Sequence, residues 1–162
     1  MELSTILYEV ADAIYYILPA YAANAAPVIF GGGRPIDSGR TFRDGRPIFG
    51  PRKTYRGALS GLVAGGLVGA AQGRPILGLL LAIGAVLGDL SGSFMKRRLG
   101  MPPGSPLPII DQLGFIVGAF LFSLPAAPPT LREAVIIAAL TPPIHVICNW
   151  FAYLLKLKKE PW

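Results

Sequence analysis

Apolar residues fill five runs of this chain, at 11–30, 57–71, 75–90, 107–124 and 131–155, and charge collects between them. We read each run as a membrane-spanning helix. A bilayer core of about 30 Å takes about 20 helical residues. The second and third runs fall short of that. The tight Gln72-Gly73-Arg74 turn makes them an antiparallel pair, and the polar flanks are expected to supply the missing length. Pro19 and Pro27 are expected to bend or interrupt the first span, and Pro142-Pro143 the fifth.

The second run carries Gly57, Gly61, Gly65 and Gly69, four residues apart, with Gly66 widening the stripe. Such stripes let helices approach closely in lipid, within one chain or between chains. The function of this one is read as packing, which makes a rigid platform for residues at its end.

Composition supports a membrane protein. The chain has 162 residues, 52% hydrophobic and 15% charged, against about 25% charged in an ordinary soluble domain. One domain spanning residues 1–162 is expected. Its 15 basic residues are placed unevenly. Seven lie between Arg34 and Arg56, three at 96–98 and three at 156–159, leaving Arg74 and Arg132. With five spans, the three clusters share one face. The positive-inside rule makes that face cytoplasmic, and puts the N-terminus, with Glu2, Glu9 and Asp12, outside. Four or six spans would scatter the clusters over both faces. Those acids replace the basic start of a cleavable signal peptide, so none is expected. The single Cys148 leaves no intrachain disulfide and no Cys-rich metal site. A multi-pass cell-membrane protein with no nucleic-acid partner is the expectation.

Two polar stretches abut apolar runs. Lys53-Thr54-Tyr55-Arg56-Gly57 opens the second, and Gly88-Asp89-Leu90-Ser91-Gly92-Ser93-Phe94-Met95-Lys96-Arg97-Arg98 leaves the third. An ionisable residue at a span is costly and marks a functional candidate. Asp89 closes the third span and Asp111 opens the fourth. Two carboxylates from adjacent helices, with no Cys or His beside them, suit Mg²⁺ rather than zinc. Each could equally cap or flank its helix. A helix through residues 87–98 would align Asp89, Ser93 and either Lys96 or Arg97 on one face, as carboxylate, hydroxyl and cation. Lys96, Arg97 and Arg98 also fit simple anchoring at the membrane surface. Lys53, Thr54 and Arg56 sit at a helix N-terminus, where free N–H groups bind phosphate. No Walker A loop is present. Asn24 either lines the same cleft or holds a helix break. His145 and Asn149 are read as partners for backbone freed by Pro142-Pro143.

The two stretches resemble the signature of membrane cytidylyltransferases that make CDP-activated lipids. Lys53-Thr54-Tyr55-Arg56-Gly57 matches a Lys-Thr-x-Glu-Gly motif, with Arg56 in place of Glu, and 88–97 matches Gly-Asp-Leu-x-x-Ser-x-x-Lys-Arg closely. Asp111-Gln112 stands for a third, acidic motif. The five spans, Arg56 and Pro19-Ala20-Tyr21-Ala22-Ala23-Asn24-Ala25-Ala26-Pro27 look most like the archaeal branch, CDP-archaeol synthase. The resemblance covers essentially the whole chain.

That likeness implies transfer of CMP from CTP to an isoprenoid ether-lipid phosphate, 2,3-bis-O-(geranylgeranyl)-sn-glycerol 1-phosphate. The products are CDP-archaeol and pyrophosphate, and the cofactor is Mg²⁺. It implies Asp89 and Asp111 as metal ligands and, with Lys96 and Arg97, as catalytic residues. Lys53, Thr54, Arg56 and Ser93 would contact phosphates, and Asn24 and Gln112 would be weaker members of the cleft. From its length and charge, the Arg34–Arg56 loop is expected to close over CTP as a lid. Three other readings compete: a small transporter or channel subunit, a non-catalytic lipid-binding protein, and a CDP-alcohol phosphotransferase. The last lacks its Asp-Gly-x-x-Ala-Arg pattern, of which Asp44-Gly45-Arg46 is only a fragment.

Overall fold

The computed structural model describes residues 3–158, 160 and 161. Glu2 and Lys159, counted above among the charges of the two ends, lie outside the described residues. Five helices follow one another: α1 (Leu3–Phe30), α2 (Tyr55–Ala71), α3 (Pro75–Arg98), α4 (Pro108–Ser123) and α5 (Leu131–Leu154). Of these, α1, α3 and α5 are long and apolar enough to cross a membrane. α2, with 17 residues, and α4, with 16, are shorter.

The expected extension of the short helices into polar flanks holds for α3, which runs to Arg98 with its last turn made of Lys96, Arg97 and Arg98. It largely fails for α2. Thr54 caps that helix by accepting a hydrogen bond from the Gly57 N–H at 3.1 Å, which stops it two residues beyond the apolar run. The prolines do not interrupt either helix: α1 runs unbroken through Pro19 and Pro27, and α5 through Pro142-Pro143. In lipid there is no water for freed carbonyls, so neighbouring side chains take part. Pro19 frees the Tyr15 carbonyl, and Gln72 Nε2 donates to it at 2.6 Å. Ahead of Pro142-Pro143, the Thr141 hydroxyl donates to the Ile137 carbonyl at 2.6 Å and meets the Tyr21 hydroxyl at 2.8 Å. His145 and Asn149 instead bond each other, Asn149 Nδ2 to His145 Nδ1 at 3.1 Å.

The glycine stripe of α2 packs within the chain. A methyl at Gly61 would meet the Ala23 carbonyl of α1 at 2.6 Å, and one at Gly65 would strike Ala82 of α3 and the Pro19 carbonyl. Gly69 abuts Gly78 of α3. Gly66 does not widen this seam, since a Cβ there meets open space. The most extensive contact joins α3 to α4, through a second set of glycines, also four residues apart on each helix, outside the stripe singled out above. Gly84 faces the Gly118 carbonyl, and Gly88 faces the Gly114 carbonyl. A substitution therefore has opposite outcomes at two glycines. G118L should destabilise the protein by about 3 kcal/mol or more through overpacking against backbone, whereas G66L should be tolerated. Thermal unfolding of both variants in detergent checks this. Equal melting of the two would contradict the seam.

Candidate functional site

The connectivity brings the last turns of α1, α3 and α5 and the first turns of α2 and α4 to one end of the bundle. The segment 31–56 folds over that end. Its Arg46 guanidinium donates to the carbonyl of Arg98 at 2.5 Å. Arg98 returns the contact, donating to Asp44 at 2.8 Å and to the Pro47 carbonyl at 2.6 Å, while its guanidinium lies 4.8 Å over both Phe42 and Phe94. Phe42 and Phe94 meet edge to face at 5.3 Å. The loop is thus fastened to α3 by charge and by aromatic packing.

Beneath it stand two lysine–carboxylate pairs. Lys53 Nζ lies 2.8 and 2.6 Å from the two oxygens of Asp89, joining the loop to α3. Lys96 Nζ lies 2.6 Å from Asp111 Oδ1 and 3.1 Å from the Ser105 carbonyl, joining α3 to α4. The other Asp111 oxygen accepts the Leu107 N–H at 2.8 Å, so this carboxylate also caps α4. Both readings of Asp111, capping residue and site residue, are compatible with its two oxygens.

Arg97 differs from both lysines. It is only 4% exposed, and its Nη2 reaches the Pro102 carbonyl at 3.1 Å, but its buried Nε and Nη1 have no hydrogen-bond partner among the described residues. Gly50 of the loop sits over it, with a Cβ there 3.7 Å from Nη1. Buried donors are almost always satisfied, and an orphaned one calls for an explanation. An anion between α3 and the loop would supply it.

Consecutive basic residues therefore do three jobs. Helical rotation of about 100° per residue sends Lys96 to α4, Arg97 inward and Arg98 to the loop. Ser93, one turn before Arg97, is 6% exposed. The remaining expected site residues fare less well. Thr54 is buried with its hydroxyl committed to the α2 cap. Arg56 is exposed on the first turn of α2, and no hydrogen bond or ion pair among the described residues joins it to the lysine–carboxylate pairs. Asn24 and Gln112 are partly buried on α1 and α4, with no hydrogen bond among the described residues joining either to the pairs.

The C-terminal tail was missed. Arg52 pairs with Glu160 at 3.4 Å, and Lys158 donates to Asn149 Oδ1 at 2.9 Å. Partial burial, with Arg52 next, lowers the Lys158 ammonium below the ordinary lysine value. The sequence signal was the third basic cluster itself, which the sequence reading uses only to orient the chain. At the other end of the bundle, Arg132 pairs with Glu9 at 2.7 Å.

No group of three or more His, Cys, Asp or Glu side chains that could hold a metal exists among the described residues. The donor set still fits Mg²⁺. Asp89 and Asp111 are hard oxygen ligands with 41% and 28% of their side chains exposed, and Mg²⁺ in phosphate chemistry takes one or two carboxylates and completes its shell with substrate oxygens and water. Each carboxylate would exchange its lysine for the cation.

Comparisons with known proteins agree along the whole chain. The CarS-like family, described as CDP-archaeol synthase, matches residues 5–75 and 72–162. The CDP-archaeol synthase of Pyrococcus furiosus is 47% identical over 96% of this chain and 100% of its own length. That of Thermococcus onnurineus is 44% identical over the full length of both, and that of Methanocaldococcus jannaschii 41% identical over 93% and 96%. A solved structure of an intramembrane enzyme of archaeal membrane lipid biosynthesis superposes with a TM-score of 0.76 at 40% identity, covering 86% of this chain and 94% of its own. By sequence over its full length and by fold, the chain belongs to the CDP-archaeol synthase family.

Proposed function

We propose that this chain joins CTP to 2,3-bis-O-(geranylgeranyl)-sn-glycerol 1-phosphate, releasing pyrophosphate and forming CDP-archaeol, in a cleft at the cytoplasmic face of a five-span membrane protein. The family gives the reaction class, a CTP-dependent cytidylyl transfer in archaeal lipid synthesis. The observation that carries the site is the buried Arg97, with two unused donors, beside lysine-held carboxylates at one end of the bundle.

The chemistry demands little covalent help. A phosphate monoester, with its second pKa near 6, is already largely dianionic at neutral pH. Its oxygen attacks the α-phosphorus of CTP, the bond to the β-phosphate oxygen breaks, and pyrophosphate leaves with that electron pair. The protein must align two anions and neutralise their charge. Asp89 and Asp111 would hold Mg²⁺, which when bound screens the phosphates and favours the leaving group. Lys53 and Lys96 would then be free to meet phosphate oxygens. Arg97 offers a fork of N–H donors suited to phosphate, and Ser93 a hydroxyl one turn away. Thr54, Arg56, Asn24 and Gln112 are peripheral in this reading.

Orientation follows from charge. The end that carries 12 of the 14 described basic residues faces the cytoplasm by the positive-inside rule, where CTP is found, while the lipid chains stay in the bilayer. The short α2 and α4 bring polar groups to that end. A channel would need them across the full depth.

Purified protein given radiolabelled CTP, Mg²⁺ and a dialkenylglycerol phosphate should release pyrophosphate and form a labelled CDP-lipid. EDTA should stop both. Equal rates on ester-linked lipid phosphate would overturn the ether-lipid assignment, and no product from either lipid would overturn the reaction.

A further inference from the structure

Asp37 lies in the loop, 6% exposed, and no part of the mechanism above uses it. Its Oδ1 accepts the Gly39 N–H at 3.0 Å, forming a local Asx turn. Its Oδ2 reaches across the loop to accept the N–H groups of Phe49 at 2.9 Å and Gly50 at 2.7 Å. From there the order passes to the site in two steps. The Gly50 carbonyl accepts the Lys53 N–H at 3.2 Å, and the Lys53 carbonyl accepts the Ile36 N–H at 2.8 Å, next to Asp37. Lys53 is therefore gripped on both sides of its backbone by groups that Asp37 organises, and its ammonium is aimed at Asp89. Gly50, the second residue on Oδ2, is also the one that covers Arg97.

We infer that Asp37 is a positioning residue for nucleotide binding, acting through the Gly50–Lys53 turn to set the place of the Lys53 ammonium. The inference rests on the reading that Lys53 contacts the phosphates of CTP. A carboxylate is suited to the task because two oxygens accept three backbone donors without bringing a donor of its own. Burial alone would push its carboxyl up, but the N–H groups of Gly50, Phe49 and Gly39 outweigh it and hold the pKa below the usual carboxylate range. This depressed value gives stability that is present above the unfolded carboxylate pKa and is lost as pH falls through the folded one. At neutral pH the clasp is fully ionised.

The test is a double-mutant cycle on the full chain in detergent, reading the Kd for CTP with Mg²⁺ and the steady-state constants. D37S keeps a hydroxyl for the local turn but cannot span to Phe49 and Gly50. It should weaken CTP binding about tenfold, as expected for lost hydrogen bonds to a charged group, and raise the KM for CTP while leaving that for the lipid phosphate unchanged. K53M should weaken CTP at least as much, and the double variant no further than K53M alone, since both act through one ammonium. Additive losses, or normal CTP affinity in D37S, would overturn the role of Asp37 and leave the reaction standing. Normal affinity in K53M would remove Lys53 from the phosphates, and this inference with it. If D37S does not fold, D37N, isosteric but with one acceptor replaced by a donor, goes through the same cycle with the same criteria.

Discussion

Replacing Asp89 by Asn should lower kcat/KM by roughly a thousandfold or more while leaving the protein folded, as expected when charge stabilisation at the transition state is removed. The reason for separating the two effects is local. The Asp89–Lys53 pair is partly solvated, with side chains 41% and 27% exposed, and such pairs contribute about 0–1 kcal/mol. Breaking it therefore costs little stability. D111N should be as inactive but less stable. Its lysine is only 13% exposed, and the carboxylate also accepts the Leu107 N–H that starts α4. Raising Mg²⁺ should partly restore a variant whose metal affinity alone has fallen. Activity assays beside thermal melts check all of this, and full turnover by either variant would remove that residue from the proposed metal site.

The second large effect concerns Arg97, where stability and activity should move in different directions. A buried donor without a partner costs about 1–3 kcal/mol, and Arg97 has two. In R97M a flexible apolar side chain takes the same space. The ligand-free protein should melt at the same temperature or higher, yet turnover should fall at least about a hundredfold, which is about 2.7 kcal/mol of transition-state binding. R97K should also be impaired, because lysine keeps the charge but not the planar fork. A variant that melts lower and still turns over normally would make Arg97 a structural residue bound to the Pro102 carbonyl.

These variants probe residues that the sequence brought forward for different reasons. Asp89 and Asp111 stood out because carboxylates at the ends of apolar runs need justification. Arg97 stood in a row of three cations whose bland reading was anchoring. Helical spacing and the motif set Lys96 and Arg97 apart from Arg98, but only the fold sends each of the three to a different neighbour. Arg98, left out of the candidate site, fastens the loop through Asp44, the Pro47 carbonyl and two aromatic rings. Arg56 was included on its place beside Lys53 and Thr54, but the first turn of α2 leaves it exposed.

The sequence by itself determined the five apolar runs, the single end that gathers the charge and the two motifs, because hydrophobic length and charge placement are properties of consecutive residues. It also carried the family. Only the tertiary structure decided which lysine meets which carboxylate, that Gly66 is outside the seam while Gly84 and Gly118 form another, and that Asp37 clasps the loop. Those facts depend on residues 13 to 36 positions apart in the chain meeting at hydrogen-bond distance, and neither period nor composition encodes a distance in space.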